Sequence, residues 1–129
     1  MGLIIFFFNR CEMEIRLRRI YETPNHTDGY RILVDRLWPR GISKKRAQIQ
    51  SWAKELAPSS ELRKRYHKAP ENWNEFKEKY FAELDDKKTF LSEVLDLSDQ
   101  EKVTFVYSAR DERFNNAVAL KEYVDRLIK

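Results

Sequence analysis

The sequence predicts an α/β fold: a small, mainly parallel sheet of three or four strands packed with helices, in a single domain. Three observations carry this. Two short runs, Ile32-Leu33-Val34 and Val103-Thr104-Phe105-Val106-Tyr107, are apolar and β-branched and are bounded by polar residues, as buried strands are. Between them, apolar residues recur three and four positions apart, the spacing of amphipathic helices. Three glycines and four prolines in 129 residues are too few for a turn-rich all-β chain and favour long helices. That length suits one domain, and it allows a core without disulfides or metal.

Residues 1–12 are an atypical N-terminal extension ahead of a domain at 13–129. Leu3 to Phe8 is six apolar residues in a row, too short for a membrane span or a signal peptide's apolar region. An added strand, an unstructured tail, or a start that belongs at Met13 all fit the extension, the last two better. Ile15 and Leu17 then alternate with Glu14, Arg16 and Arg18, the period of a half-exposed strand over about 13–21. Residues 22–29 are loop chemistry, and a second strand spans about 30–37, ended by Pro39 and Gly41.

Ser43 caps a helix from Lys44, and the segment to Leu56 is expected to be helical in part, with Ile49, Trp52, Ala53 and Leu56 at helical spacing. Pro58 stops it, and Ser59 or Ser60 caps a short helix to about Lys68. Pro70 opens the next helix, to about Asp85, with Trp73, Phe76, Tyr80 and Leu84 on its apolar face. Another helix covers about 87–97, a third strand 102–107, and a last helix about 114–128.

Hydrophobic residues make up 42% and aromatics 13% of the chain, so it is globular despite a charged content of 36%. The net charge of +4 is uneven: residues 1–68 hold 15 Lys/Arg against 7 Asp/Glu, and residues 69–129 hold 10 against 14. A basic half suits an anionic partner, although partitioned surface charge explains it equally. One cysteine, Cys11, permits no intramolecular disulfide, and His26 and His67 show no zinc spacing. A reducing cytoplasmic compartment is the default, with no membrane partner, and the letters name no cofactor.

The place to look for function is where both strands end. Each apolar run leads into an Arg/Asp pair and then towards a helix, and open α/β sheets put their sites at the strand C-termini. If the two strands are parallel neighbours, Asp35, Arg36, Trp38 and Arg40 meet Ser108, Arg110, Asp111 and Asn115. Guanidiniums offer a planar fork of donors for phosphate or carboxylate, so Arg36, Arg40 and Arg110 are candidate anion ligands. Asp35 and Asp111 are candidate acid/base groups, Trp38 a candidate apolar wall, and Asn115 and Lys54 further candidate contacts. The same letters also fit a structural brace of Asp35–Arg110 or Asp111–Arg36 ion pairs, a core role for Trp38 and a helix cap at Asn115. A nucleic-acid or regulatory module using Lys44-Lys45-Arg46 and Arg63-Lys64-Arg65 is the alternative function. No phosphate-binding glycine loop, dinucleotide fingerprint, cysteine phosphatase loop or nucleophile elbow is present.

Three ordered stretches carry a family resemblance: Gly29-Tyr30-Arg31-Ile32-Leu33-Val34-Asp35-Arg36-Leu37-Trp38-Pro39-Arg40-Gly41, Trp52 to Ser59 followed by Glu61-Leu62-Arg63, and Ala109-Arg110-Asp111 with Asn115-Asn116-Ala117. Together they resemble the YeaO-like proteins, domain of unknown function 488, over about residues 13–128. The resemblance implies a small, cytosolic, largely bacterial α/β protein and no particular reaction. Members typically begin near Met13. Many also carry a histidine where this chain has Lys68, with His67 one position earlier, which weakens the case for a catalytic histidine.

Overall fold

The computed structural model describes residues 13–66, 70–98 and 102–128. The extension 1–12, His67 and Lys68 lie outside the described residues. Four strands, β1 (Glu14–Arg19), β2 (Tyr30–Leu33), β3 (Ser51–Trp52) and β4 (Lys102–Tyr107), form one sheet in the order β1-β4-β2-β3. All pairs are parallel; Ile15 lies opposite Val103, and Ile32 opposite Phe105. The predicted α/β class and the parallel pairing of the two apolar strands are therefore observed.

Period two divides the central strands between two apolar clusters. Ile32, Val34, Val103, Phe105 and Tyr107 enter the main core, with Phe76, Tyr80, Leu84, Leu91, Leu95, Leu120 and Val124 from the helices. These helices are α2 (Ser60–Tyr66), α3 (Trp73–Asp85), α4 (Lys88–Ser98) and α5 (Asn116–Leu127), and the short α1 (Lys44–Ala47) precedes them. The expected apolar stripe of α3 is observed, with Phe76, Tyr80 and Leu84 buried. A smaller cluster of Ile20, Leu33, Ile42, Ala47 and Val106 is covered mainly by loops and α1.

The crossover from β1 to β2 passes β4 without an α-helix, as a loop with one 3-10 turn at His26–Asp28. The buried Asp28 fixes this loop. Its carboxylate accepts from Arg31 at 2.6 Å, Arg18 at 2.9 Å and the Asn25 N–H at 3.0 Å. Thr104 on β4 donates to the Asp28 carbonyl at 2.6 Å. Gly29 follows with φ +68°, so close to β4 that a Cβ would lie 2.3 Å from the Lys102 carbonyl oxygen. Only glycine combines that backbone with that approach.

The segment 44–56 is helical in part, as expected, with Ser43 capping at Lys44, but it also holds a strand that its spacing does not announce. The helix lasts only from Lys44 to Ala47, Gln48 turns left-handed at φ 51°, and β3 and a 3-10 turn at Lys54–Leu56 follow. Two partners on β2 explain this. Arg31 Nε and Nη2 donate to the carbonyls of Ala47 and Gln48, acceptors that a further helical turn would use. The open edge of β2 then takes Gln50 N–H on the Arg31 carbonyl and Ala53 N–H on the Leu33 carbonyl. The β2 ladder is also shorter than expected, ending at Leu33, although Val34 N–H still bonds Val106 O at 3.0 Å.

Candidate functional site

Beyond Val34 the chain leaves β2 at the C-terminal rim of the sheet, beside the end of β4. Asp35 joins the two strand ends. Its Oδ2 accepts from the Ser108 N–H at 3.0 Å and the Ser108 hydroxyl at 2.7 Å. Asn116, in the first turn of α5, donates through Nδ2 to Val34 O at 2.9 Å and to Asp35 Oδ1 at 3.2 Å. Both carboxylate oxygens are thus held by internal donors. Arg19, at the end of β1, adds a clamp on the same turn through Nε to the carbonyls of Ser108 and Ala109, at 3.3 and 2.9 Å.

Arg36 is half-buried and reaches the carbonyls of Pro58 and Ala57, both at 3.3 Å. Its guanidinium meets no carboxylate among the described residues. The Arg40 side chain is exposed, while its backbone carbonyl accepts from the Tyr21 hydroxyl at 2.8 Å. Arg110 is exposed in the turn after β4. Neither the Asp35–Arg110 nor the Asp111–Arg36 ion pair occurs among the described residues, whose ion pairs lie elsewhere.

Asp111 shapes its own loop. Its Oδ1 accepts from the N–H groups of Arg113 and Phe114, at 2.8 and 3.0 Å. The Phe114 and then the Arg113 N–H hold its pKa below the usual aspartate value, so it is ionised at neutral pH and holds no proton to deliver. Asn115 is buried and caps α5: its Oδ1 accepts from Val118 N–H at 2.9 Å, and its Nδ2 donates to Asp111 O at 2.8 Å. Tyr80, beneath the rim, donates its hydroxyl to Leu56 O, and burial keeps that phenol neutral well above the ordinary tyrosine range.

Trp38 is half-buried against the smaller cluster, with Nε1 donating to Ile42 O at 2.7 Å. Trp52, read at helical spacing, instead stands on edge strand β3 and is 38% exposed. Its Nε1 donates to Asp35 O at 2.8 Å, its ring meets Trp38 edge-on at 5.5 Å, and Lys54 Nζ lies 5.1 Å from its centroid. The structure thus joins Trp38 and Lys54 to Asp35 through Trp52, and Asp35 to Ser108 directly. Asn116 was visible as a polar neighbour of Asn115, but its bond to Asp35 depends on the β2–β4 pairing. Arg19 had no distinguishing signal within an alternating strand.

The rim carries cations that internal carboxylates do not neutralise, and carboxylates already engaged in holding loops. Among the described residues, no group of three or more His, Cys, Asp or Glu is placed to hold a metal, and no helix is long and apolar enough to cross a membrane.

A small parallel α/β domain with an arginine-bearing rim is the class that fold and site define. A family model described as the inactive DUF488-N3 subclade matches residues 14–129, and the chain belongs to this YeaO-like DUF488 family. It is 39% identical over 115 residues to "Uncharacterized protein YeaO" of Escherichia coli K12, covering 89% of this chain and 100% of that one. It is also 39% identical over 114 residues to "Uncharacterized protein Rv3073c" of Mycobacterium tuberculosis H37Rv, covering 88% of this chain and 96% of that one. No solved structure matches.

Proposed function

We propose that this protein is a binding domain, without catalysis of its own, for a small anionic and phosphate-bearing ligand taken at the C-terminal rim of the sheet. One observation carries the reading: Arg36, Arg40 and Arg110 have no carboxylate partner among the described residues, while Asp35 and Asp111 are occupied by internal donors. A guanidinium with no carboxylate partner beside a strand terminus attracts an anion, and each keeps donors to offer it. The inactive description of the matching subclade, together with carboxylates engaged in the fold, favours binding over proton transfer.

A thermal-shift series with phosphate, pyrophosphate, sugar phosphates and nucleotides tests this, with the Arg40→Ala/Arg110→Ala double variant in parallel. A ligand at about 100 times its Kd adds about 2.7 kcal/mol, which raises Tm by several degrees in a domain of this size. The parent chain is expected to show that rise and the double variant to lose most of it. An absent rise with every anion, or an equal rise in the variant, removes the reading.

A second reading, a nucleic-acid module, draws on Lys44, Lys45 and Arg46, which are exposed and have no ion-pair partner among the described residues. It predicts binding to long nucleic acid that weakens steeply with salt and is insensitive to the rim variant.

A further inference from the structure

We infer that the ligand at the rim is a nucleotide whose base stacks on Trp52. The inference rests on the anion-site reading above and adds the aromatic part of the ligand. Trp52 is one of five large hydrophobic side chains left open among the described residues, and three groups fix its ring. The indole N–H is anchored on Asp35 O, the Trp38 ring meets it at 72°, and Lys54 sits over it. A side chain merely left outside the core would not be held in this way at both its polar atom and its ring.

Position supports the same conclusion. The carbonyl that anchors Trp52 belongs to Asp35, the chain neighbour of Arg36, and Lys54 Nζ lies 5.1 Å from the ring centroid. A base stacked on the indole brings its phosphates towards Lys54. An aromatic face next to cations is the arrangement that recognises a nucleotide irrespective of base identity, because every base offers a π face. Free nucleotide and single-stranded nucleic acid share this chemistry.

The test is tryptophan fluorescence of the full chain titrated with ATP, with a single-stranded octanucleotide and with tripolyphosphate, which carries phosphates but no base. Stacking predicts that ATP binds on the order of 5- to 150-fold more tightly than tripolyphosphate. Trp52→Ala should bring ATP down to the tripolyphosphate affinity, and Trp52→Phe, which keeps an aromatic ring, should retain most of the difference. If Trp52→Ala is unfolded by circular dichroism, the parent comparison and Trp52→Phe decide the matter. Tighter, strongly salt-dependent binding of the octanucleotide supports stacking on a strand; equal or weaker binding than ATP supports a free nucleotide. Equal affinity of the parent for ATP and tripolyphosphate overturns the nucleotide inference and leaves the anion site standing. Failure of all three to bind removes both.

Discussion

Asp28 is the residue on which the loop face of the sheet depends. It is almost wholly buried, as is its partner Arg31, and a third charge, Arg18, closes the cluster. Burial opposes its ionisation, but the Asn25 N–H and the guanidiniums of Arg31 and Arg18 outweigh that cost and hold its pKa below the ordinary value of 3.8. A depressed folded-state pKa means that the unfolded chain binds the proton first as pH falls. The stabilisation is therefore complete above about pH 4 to 5 and is lost as pH drops through the lowered value. Asp28→Asn leaves Arg31 buried without its counter-charge and should cost about 3–5 kcal/mol at neutral pH. Urea denaturation at pH 7 and pH 3 measures both effects; the gap between variant and parent should narrow at the lower pH. An undiminished gap there would mean that packing, not charge, fixes the loop.

At the scale of elements, caps and stripes were legible because their signals are local. Ser59 caps α2 as read, its hydroxyl accepting from Leu62 N–H at 3.1 Å. The stripe of α3 and the apolar run of β4 needed only their own spacing. The segment after α1 was not legible: the helical spacing of Ile49, Trp52, Ala53 and Leu56 is real, but Arg31 and the open edge of β2 lie far from it in sequence and take its backbone groups. The candidate site divides in the same way. Strand-end residues were found because the two apolar runs end alike, whereas Trp52 was missed because its exposure follows from β3. Asn115 had two readings, contact or cap, and its bonds to Val118 and Asp111 give it the work of a cap. Asn115→Ala should therefore cost about 1–2 kcal/mol and speed amide exchange in the first turn of α5. Exchange unchanged at Val118 would contradict that assignment.

At the scale of the whole molecule, helices α2 to α5 lie with the main core, and a thinner layer of loops and α1 covers the smaller cluster. β2 and β4 contribute side chains to both clusters, with Ile32 and Phe105 in one and Leu33 and Val106 in the other. The two sides therefore cannot separate without breaking shared strands. Thermal unfolding should be a single transition, with the far-ultraviolet signal of the helices and, in a Trp73→Phe background, the fluorescence of Trp38 and Trp52 changing together. A fluorescence midpoint several degrees below the helical one would show that the loop-covered side melts by itself.

The strand order also has a bearing on synthesis. β4, which lies between β1 and β2, is the last strand along the chain, and β1 pairs with no other strand among those described. While the polypeptide is being made, β1 therefore waits for a neighbour about 85 residues downstream, and loop closure over such a span is slow. A nascent chain stalled before residue 102 holds an unpaired β1 and half a sheet, a species with strand edges open to other chains. The ribosome must release β4 before the rim at the strand ends can exist, so a ligand taken there meets only a chain made past residue 107.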